Sequence, residues 1–289
     1  MINLLKESEN ISEPILFCVV KNDILKLPKF FEHYRTLGIK SFIFLDNDST
    51  DGTKEYLMDQ SDVTLYHSEI KYSSTIRCLW IDRLLCKYGM NKWCVVVDSD
   101  EFIDYICSDN YSINDLIRHC DTDRIEGFHL DMYPKGQLFN SNIEECKYFD
   151  KEGYEIVDNL YGTVVLGGYR RRVFNLIISM SKYPIFYYSK NLFYKSSHYL
   201  YPYAHTPIWL AIRHYKFVDN KDYNKLEYAV KNEIYYNHSQ HYKKVWNYVN
   251  ENGIPQAYND DISEEYINSE SLRVLDFLDT PFELKGENV

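Results

Sequence analysis

The chain has no run approaching the ~20 consecutive apolar residues that cross a bilayer, and residues 1–7 place no basic region ahead of a long apolar one. The sequence therefore leads us to expect no transmembrane segment and a cytoplasmic protein, with peripheral association at the inner membrane surface as the alternative. Basic charge is also in short supply. Against 43 Asp and Glu there are 32 Lys and Arg, a formal net charge of -11, whereas a general nucleic-acid binder presents a basic face; no nucleic-acid partner is expected. Paired cysteines are missing. The seven present (Cys18, Cys78, Cys86, Cys94, Cys107, Cys120 and Cys146) are odd in number and form no Cys-x-x-Cys, and most sit in apolar runs, so reduced core thiols are expected rather than disulfides or a zinc site. No glycine occurs in Val19-Val20-Lys21-Asn22-Asp23, which excludes a glycine-rich phosphate loop there. No internal repeat or low-complexity linker divides the chain. What remains is 289 residues, 45% of them hydrophobic, enough for one large α/β domain with a sizeable core.

Apolar strand-like runs alternate with amphipathic helices through the first hundred residues. Ile15-Leu16-Phe17-Cys18-Val19-Val20 reads as a strand. Residues 25–37 carry Leu27, Phe30, Phe31, Tyr34 and Leu37 at helical spacing, with Gly38 as the stop. A second strand, Ser41-Phe42-Ile43-Phe44-Leu45, leads into the turn-rich segment 46–53, whose Ser, Thr and Asp can cap a helix running to about Met58. Val63-Thr64-Leu65-Tyr66 makes a third strand, residues 74–88 a helix ended by Gly89, and Trp93-Cys94-Val95-Val96-Val97 a fourth strand. This alternation predicts βαβ units and a mostly parallel sheet. Ligands of such sheets sit beyond the carboxyl ends of the strands. Three polar segments fall there, at residues 21–23, 46–51 and 98–101, and are expected to converge on one cleft. Residues 140–160 read as charged and irregular, and the tail from about Asn250 as peripheral, with one last helix over 271–278.

Asp98-Ser99-Asp100-Glu101 directly follows the fourth strand. At the end of that strand, alternation sends Asp98 and Asp100 to the same side. Two carboxylates at a sheet edge suit Mg²⁺ or Mn²⁺, hard ions that take one or two carboxylates and complete their shell with substrate phosphates. A nucleotide diphosphate held through a metal is the implied ligand. Solvated strand-end acids are the plain alternative.

Several segments together resemble the nucleotide-sugar glycosyltransferases of the GT-A type, and among them a branch of family 2. The matching residues are Val20-Lys21-Asn22-Asp23, His33-Tyr34-Arg35, Asp46-Asn47-Asp48-Ser49-Thr50-Asp51-Gly52-Thr53 and Asp98-Ser99-Asp100-Glu101-Phe102. Further along come Leu130-Asp131-Met132-Tyr133, Gly167-Gly168-Tyr169-Arg170-Arg171-Arg172-Val173-Phe174, Ser196-Ser197-His198 and Arg213-His214-Tyr215-Lys216-Phe217. Many members carry glycine where this chain has Asp48. The resemblance implies an α/β, GT-A (Rossmann-like) fold, with a mostly parallel central sheet flanked by helices and with C-terminal helices. Residues 1–250 would form the catalytic domain, with a nucleotide-binding half at about 13–105 and an acceptor and metal-completing half at about 106–250. Residues 251–289 would be a C-terminal helical extension.

The same resemblance implies a metal-dependent, inverting transfer of a sugar from a nucleotide diphosphate sugar, uridine-linked for preference, to a glycan or glycolipid acceptor in surface polysaccharide biosynthesis. Mn²⁺ or Mg²⁺ would be held by Asp100, by Asp98 directly or through water, and by His214, which otherwise reads as a hydrogen-bonded core histidine. Asn22, Asp46 and Asn47 would meet base and ribose, and Asp98 is an alternative ribose ligand. Arg77 would lie beside the nucleotide, or else be a solvated surface charge. Gly167-Gly168 reads as a flexible loop that brings Arg170 to Arg172 over the diphosphate; in a strand, Arg170 and Arg172 would share a face and Arg171 would take the other. The general base that an acceptor hydroxyl needs is assigned first to Asp131, with Asp150 and Glu101 as alternatives and a capping turn carboxylate as the structural reading. His198 would line the acceptor site, bind phosphate or hold a loop. The 28 tyrosines, concentrated after Tyr183, either offer faces for acceptor sugars or reflect a drift in composition. Two rivals stand against this reading: a sugar-phosphate nucleotidyltransferase, whose glycine-rich loop is missing, and a non-catalytic glycan-binding module, which needs no metal-diphosphate site.

Overall fold

A computed structural model describes residues 2–160, 162–232 and 239–284. In chain order the strands are β1 (Asn3–Lys6), β2 (Ile15–Val20), β3 (Ser41–Asp46), β4 (Val63–His67), β5 (Lys92–Val96), β6 (Glu101–Asp104), β7 (Arg124–Asp131), β8 (Tyr148–Asp150), β9 (Glu155–Asn159), β10 (Gly162–Leu166), β11 (Ser181–Tyr188), β12 (Phe193–Tyr194), β13 (Leu200–Tyr201), β14 (Ile208–His214) and β15 (Ser263–Glu265). The helices are α1 (Leu27–Thr36), α2 (Thr53–Asp59), α3 (Ser74–Leu84), α4 (Ile113–His119), α5 (Gly168–Phe174), α6 (Asn220–Lys231), α7 (Ser239–Asn252) and α8 (Pro281–Leu284). A π-helical turn, Leu85–Gly89, extends α3, which accounts for the longer helix expected there.

Nine strands form one sheet in the order β1-β4-β3-β2-β5-β11-β7-β14-β6. The block β4-β3-β2-β5 is parallel, as is β7 with β14, while β1, β11 and β6 pair antiparallel with their neighbours. The sheet is thus mixed rather than mostly parallel, because β11 returns between β5 and β7. Strand β2 is wholly apolar, and β3 is apolar between Ser41 and its closing acid, because both faces are covered. Leu16, Cys18, Phe42 and Phe44 point to one core, with α1. Ile15, Phe17, Ile43 and Leu45 point to a second, with Trp80, Ile81 and Leu84 of α3.

A third cluster joins Tyr169 and Phe174 of α5 to Leu226 of α6 and to Val245 and Val249 of α7. Beyond Asn252 the described chain is not the expected helical extension. It forms β15, a 3₁₀ turn at Ser269–Val274 where a helix over 271–278 was predicted, and the short α8. Nor is this tail peripheral: Leu272, Leu275, Leu278 and Phe282 are buried in the first core. Its strand β15 pairs with β8, and β9 pairs with β10, so residues 140–160 are not irregular throughout.

Candidate active site at the carboxyl edge of the sheet

Strand β2 has its parallel neighbours β3 and β5 on opposite sides, so the connections leaving β2 and β5 diverge and open a crevice. The loops at this edge are tied together. Asn22 adopts a left-handed backbone (φ 57°); its N–H donates to Ser49 Oγ at 2.9 Å, and its side-chain oxygen accepts from the Thr50 N–H at 2.8 Å. Asp23 donates its N–H to Thr53 Oγ1 (2.9 Å) and accepts from Ser99 Oγ (2.8 Å), which links the ends of β2, β3 and β5. Asp46 and Asn47 are buried. Asp46 Oδ2 accepts from the Ser49 N–H and pairs with His67 Nδ1, and Asn47 donates to the carbonyls of Ser68 and Ile70. Their remaining oxygens, Asp46 Oδ1 and Asn47 Oδ1, are enclosed without a partner among the described residues. Two unsatisfied acceptors side by side in sequence are costly unless a ligand donor meets them.

Asp98 and Asp100 do not continue β5. The Glu101 N–H bonds back to the Asp98 carbonyl at 3.1 Å, closing a turn, so strand alternation does not apply. In the sheet, β5 and β6 are separated by β11, β7 and β14, and the short segment between them must run across the ends of those three strands. The two acids accordingly meet different partners. Asp98 Oδ1 accepts from Nε and a terminal nitrogen of buried Arg77, at 3.0 and 2.5 Å, while its side chain stays 39% exposed. Asp100 Oδ2 lies 3.9 Å from His214 Nε2. Burial would raise the Asp100 carboxyl, but neighbouring positive charge, that of Lys216 first and of Lys26 with it, outweighs burial and holds the group ionised far below its usual range.

The three carboxylates expected to act as base are sealed in ion pairs. Glu101 binds Lys182 of β11 and, at 2.8 Å, His129 Nε2 of β7, and it also accepts the Asp98 N–H. Burial would raise its carboxyl; Lys182 and His129 drive it well below the ordinary value instead. Asp131, 1% exposed, is held by Arg170 Nε at 2.7 Å and His214 Nδ1 at 3.0 Å. Asp150 accepts from Arg172 and from the Tyr133 hydroxyl. Asp131, Asp150 and Glu101, expected as candidates for the base, are thus all buried and already paired with cations.

Arg170 and Arg172 likewise are not on a flexible loop or a strand; they lie on α5, spent on Asp131 and Asp150, with Arg171 turned outward to Glu155. The two glycines serve close packing. Gly168 sits at φ +68°, where a Cβ would come 3.3 Å from Asp131 Oδ2, and a Cβ on Gly167 would strike Tyr154 at 2.6 Å. Burial pushes the His129 imidazole down to about 4, so this ring is neutral and donates to Glu101. It stacks on His214 at 4.5 Å between centroids and meets His198 edge-on at 5.1 Å. Sequence reasoning gave His129 and Lys182 no part; their signal was a polar residue inside a run of strand residues. Helix α6 straps the same edge through Lys26–Asp222 (3.2 Å), Lys221–Asp51 (3.3 Å) and Lys225–Asp23 (2.8 Å).

Among the described residues no three His, Cys, Asp or Glu side chains converge as a ready metal cage. Asp100 Oδ2 and His214 Nε2, 3.9 Å apart, are an oxygen and a nitrogen donor that would have to draw closer to share a divalent cation, with water and phosphate in its other positions. No helix of the described residues is long and apolar enough to cross a membrane. No family model matches the chain, and no curated protein matches it. Among solved structures, HddC from Yersinia pseudotuberculosis aligns with 73% of this chain and 96% of its own at 14% identity, with a TM-score of 0.32. A likeness of that size carries no argument for this chain.

Proposed function

We propose that this protein is a GT-A-type glycosyltransferase that uses a nucleotide diphosphate sugar, most simply a uridine-linked one, and passes the sugar to a glycan or glycolipid acceptor with Mn²⁺ or Mg²⁺. The observation that carries the reading is the Asp100–His214 pair, an oxygen and an imidazole nitrogen 3.9 Å apart beside the interlocked ends of β2, β3 and β5. Support comes from the unpartnered oxygens of Asp46 and Asn47, which suit the donor groups of a nucleoside. When bound, the cation would supply charge neutralisation for a departing diphosphate. The chain's own parts bind and orient: Asp100 and His214 hold the cation, Arg77 fixes Asp98 at the crevice, and Asp46 and Asn47 receive the nucleoside. No base is assigned to Asp131, Asp150 or Glu101.

Calorimetry of UDP binding with and without Mn²⁺ tests the proposal. Asp100→Ala is expected to remove the Mn²⁺-dependent part of the affinity while circular dichroism stays that of the wild type. Unchanged metal-dependent affinity in the folded variant would rule out Asp100 as a cation ligand.

A further inference from the structure

Asp131 closes β7 with both oxygens committed, Oδ2 to Arg170 Nε at 2.7 Å and Oδ1 to His214 Nδ1 at 3.0 Å. The Arg170 guanidinium, which keeps its charge throughout the ordinary pH range, lies against this carboxyl and holds it as a carboxylate. A carboxylate in that state only accepts hydrogen bonds. The proton of the Asp131–His214 bond therefore sits on Nδ1, and in the neutral ring the lone pair is on Nε2, the nitrogen 3.9 Å from Asp100 Oδ2. Everything around the ring keeps it there. His129 stacks on one face at an interplanar angle of 21°, and the His214 carbonyl accepts the Met132 N–H at 3.0 Å. Arg170 reaches Asp131 because α5 begins at Gly168, which leaves no side chain between them.

We infer that Asp131 is a positioning residue, which sets the tautomer and ring orientation of His214 so that Nε2 offers its lone pair beside Asp100 to a divalent cation. A hydrogen-bonded carboxylate behind a ligating imidazole raises its basicity and fixes its direction. The inference rests on the proposed cation site, and it gives the Arg170–Asp131–His214 chain a purpose that a buried charge cluster alone would not have.

Two measurements separate the inference from the reading beneath it. The first uses histidine ¹⁵N resonances of the wild-type protein, with His214 assigned by its loss in His214→Gln. A protonated Nδ1 and a pyridine-like Nε2 are expected, and a protonated Nε2 with a bare Nδ1 would overturn the inference whether or not any variant folds. The second is Mn²⁺-dependent UDP binding by Asp131→Asn, whose amide can donate as well as accept and so no longer dictates the tautomer. Affinity for the metal complex is expected to fall ~10–100-fold, with metal-free UDP binding unchanged and no further loss when Asp131→Asn is added to His214→Gln. Wild-type affinity in folded Asp131→Asn, or a full second loss in the double variant, would overturn it. Absence of any Mn²⁺ dependence in the wild type would instead sink the cation site, while the tautomer measurement still decides what Asp131 does to His214.

Discussion

Replacing Glu126 with glutamine is expected to flatten part of the stability–pH profile. Glu126 lies on β7 with no exposed surface. Its Oε2 accepts from the Tyr183 hydroxyl at 3.0 Å and from Thr206 at 3.4 Å, whereas Oε1 is enclosed without a partner among the described residues. Burial pushes the carboxyl from 4.5 up to about 8, against the pull of those two hydrogen bonds. Between these values the folded protein keeps a proton that the unfolded chain has released, so stability falls as pH rises through the interval and the loss is complete above about 8. At ~1.4 kcal/mol per pH unit, the interval sets a ceiling of roughly 5 kcal/mol. Glu126→Gln has nothing to titrate there. Urea unfolding of both proteins at pH 5 and pH 8.5 is the assay, because all other titrating groups cancel in the difference. The variant is expected to gain on the wild type by at least ~1 kcal/mol between the two pH values. A difference that is the same at both, within ~0.5 kcal/mol, would refute a proton held on Glu126 by burial.

Lys182→Met removes the cation from a buried carboxylate and is expected to cost ~3–5 kcal/mol in denaturant unfolding; a loss below ~1 kcal/mol would mean that Glu101 finds other compensation. Gly168→Ala forces a side chain into a left-handed backbone and against Asp131, with an expected loss of ~1–3 kcal/mol and weaker Mn²⁺-dependent UDP binding in the folded fraction. Wild-type values for both would show that α5 can shift without disturbing Arg170.

Strands β2 to β5 were legible because each is short, apolar on both faces and bounded by turn residues, and their carboxyl ends were correctly read as one edge. The turn at Asp98 to Asp100 was not, since alternation assumes a strand that continues past Val97, and only the Glu101 N–H bond to the Asp98 carbonyl ends it. The pairing of the three candidate bases was hidden for a related reason. Asp131, Asp150 and Glu101 were weighed as lone carboxylates, and their partners Arg170, Arg172 and Lys182 stand 39, 22 and 81 positions away. Gly167-Gly168 looked like freedom in sequence. In the fold it is tightness, visible only once Asp131 and Tyr154 are placed against it.

The sheet order also governs when the crevice can come into being on the ribosome. Strand β6 lies at the far edge of the sheet and pairs with β14, so residues 101–104 wait for residues 208–214 before they have a sheet partner. The straps from α6 reach back still further, across 170 positions for Lys221–Asp51, 196 for Lys26–Asp222 and 202 for Lys225–Asp23. A nascent chain that has emerged to residue 200 can assemble the parallel block β4-β3-β2-β5, yet its Asp100 has no His214 to face and its β2 and β3 loops no helix above them. Closure of contacts so distant in sequence is slow, which makes this edge of the sheet mature well after the parallel block and exposes β7 as a temporary open edge, with β14 still to come.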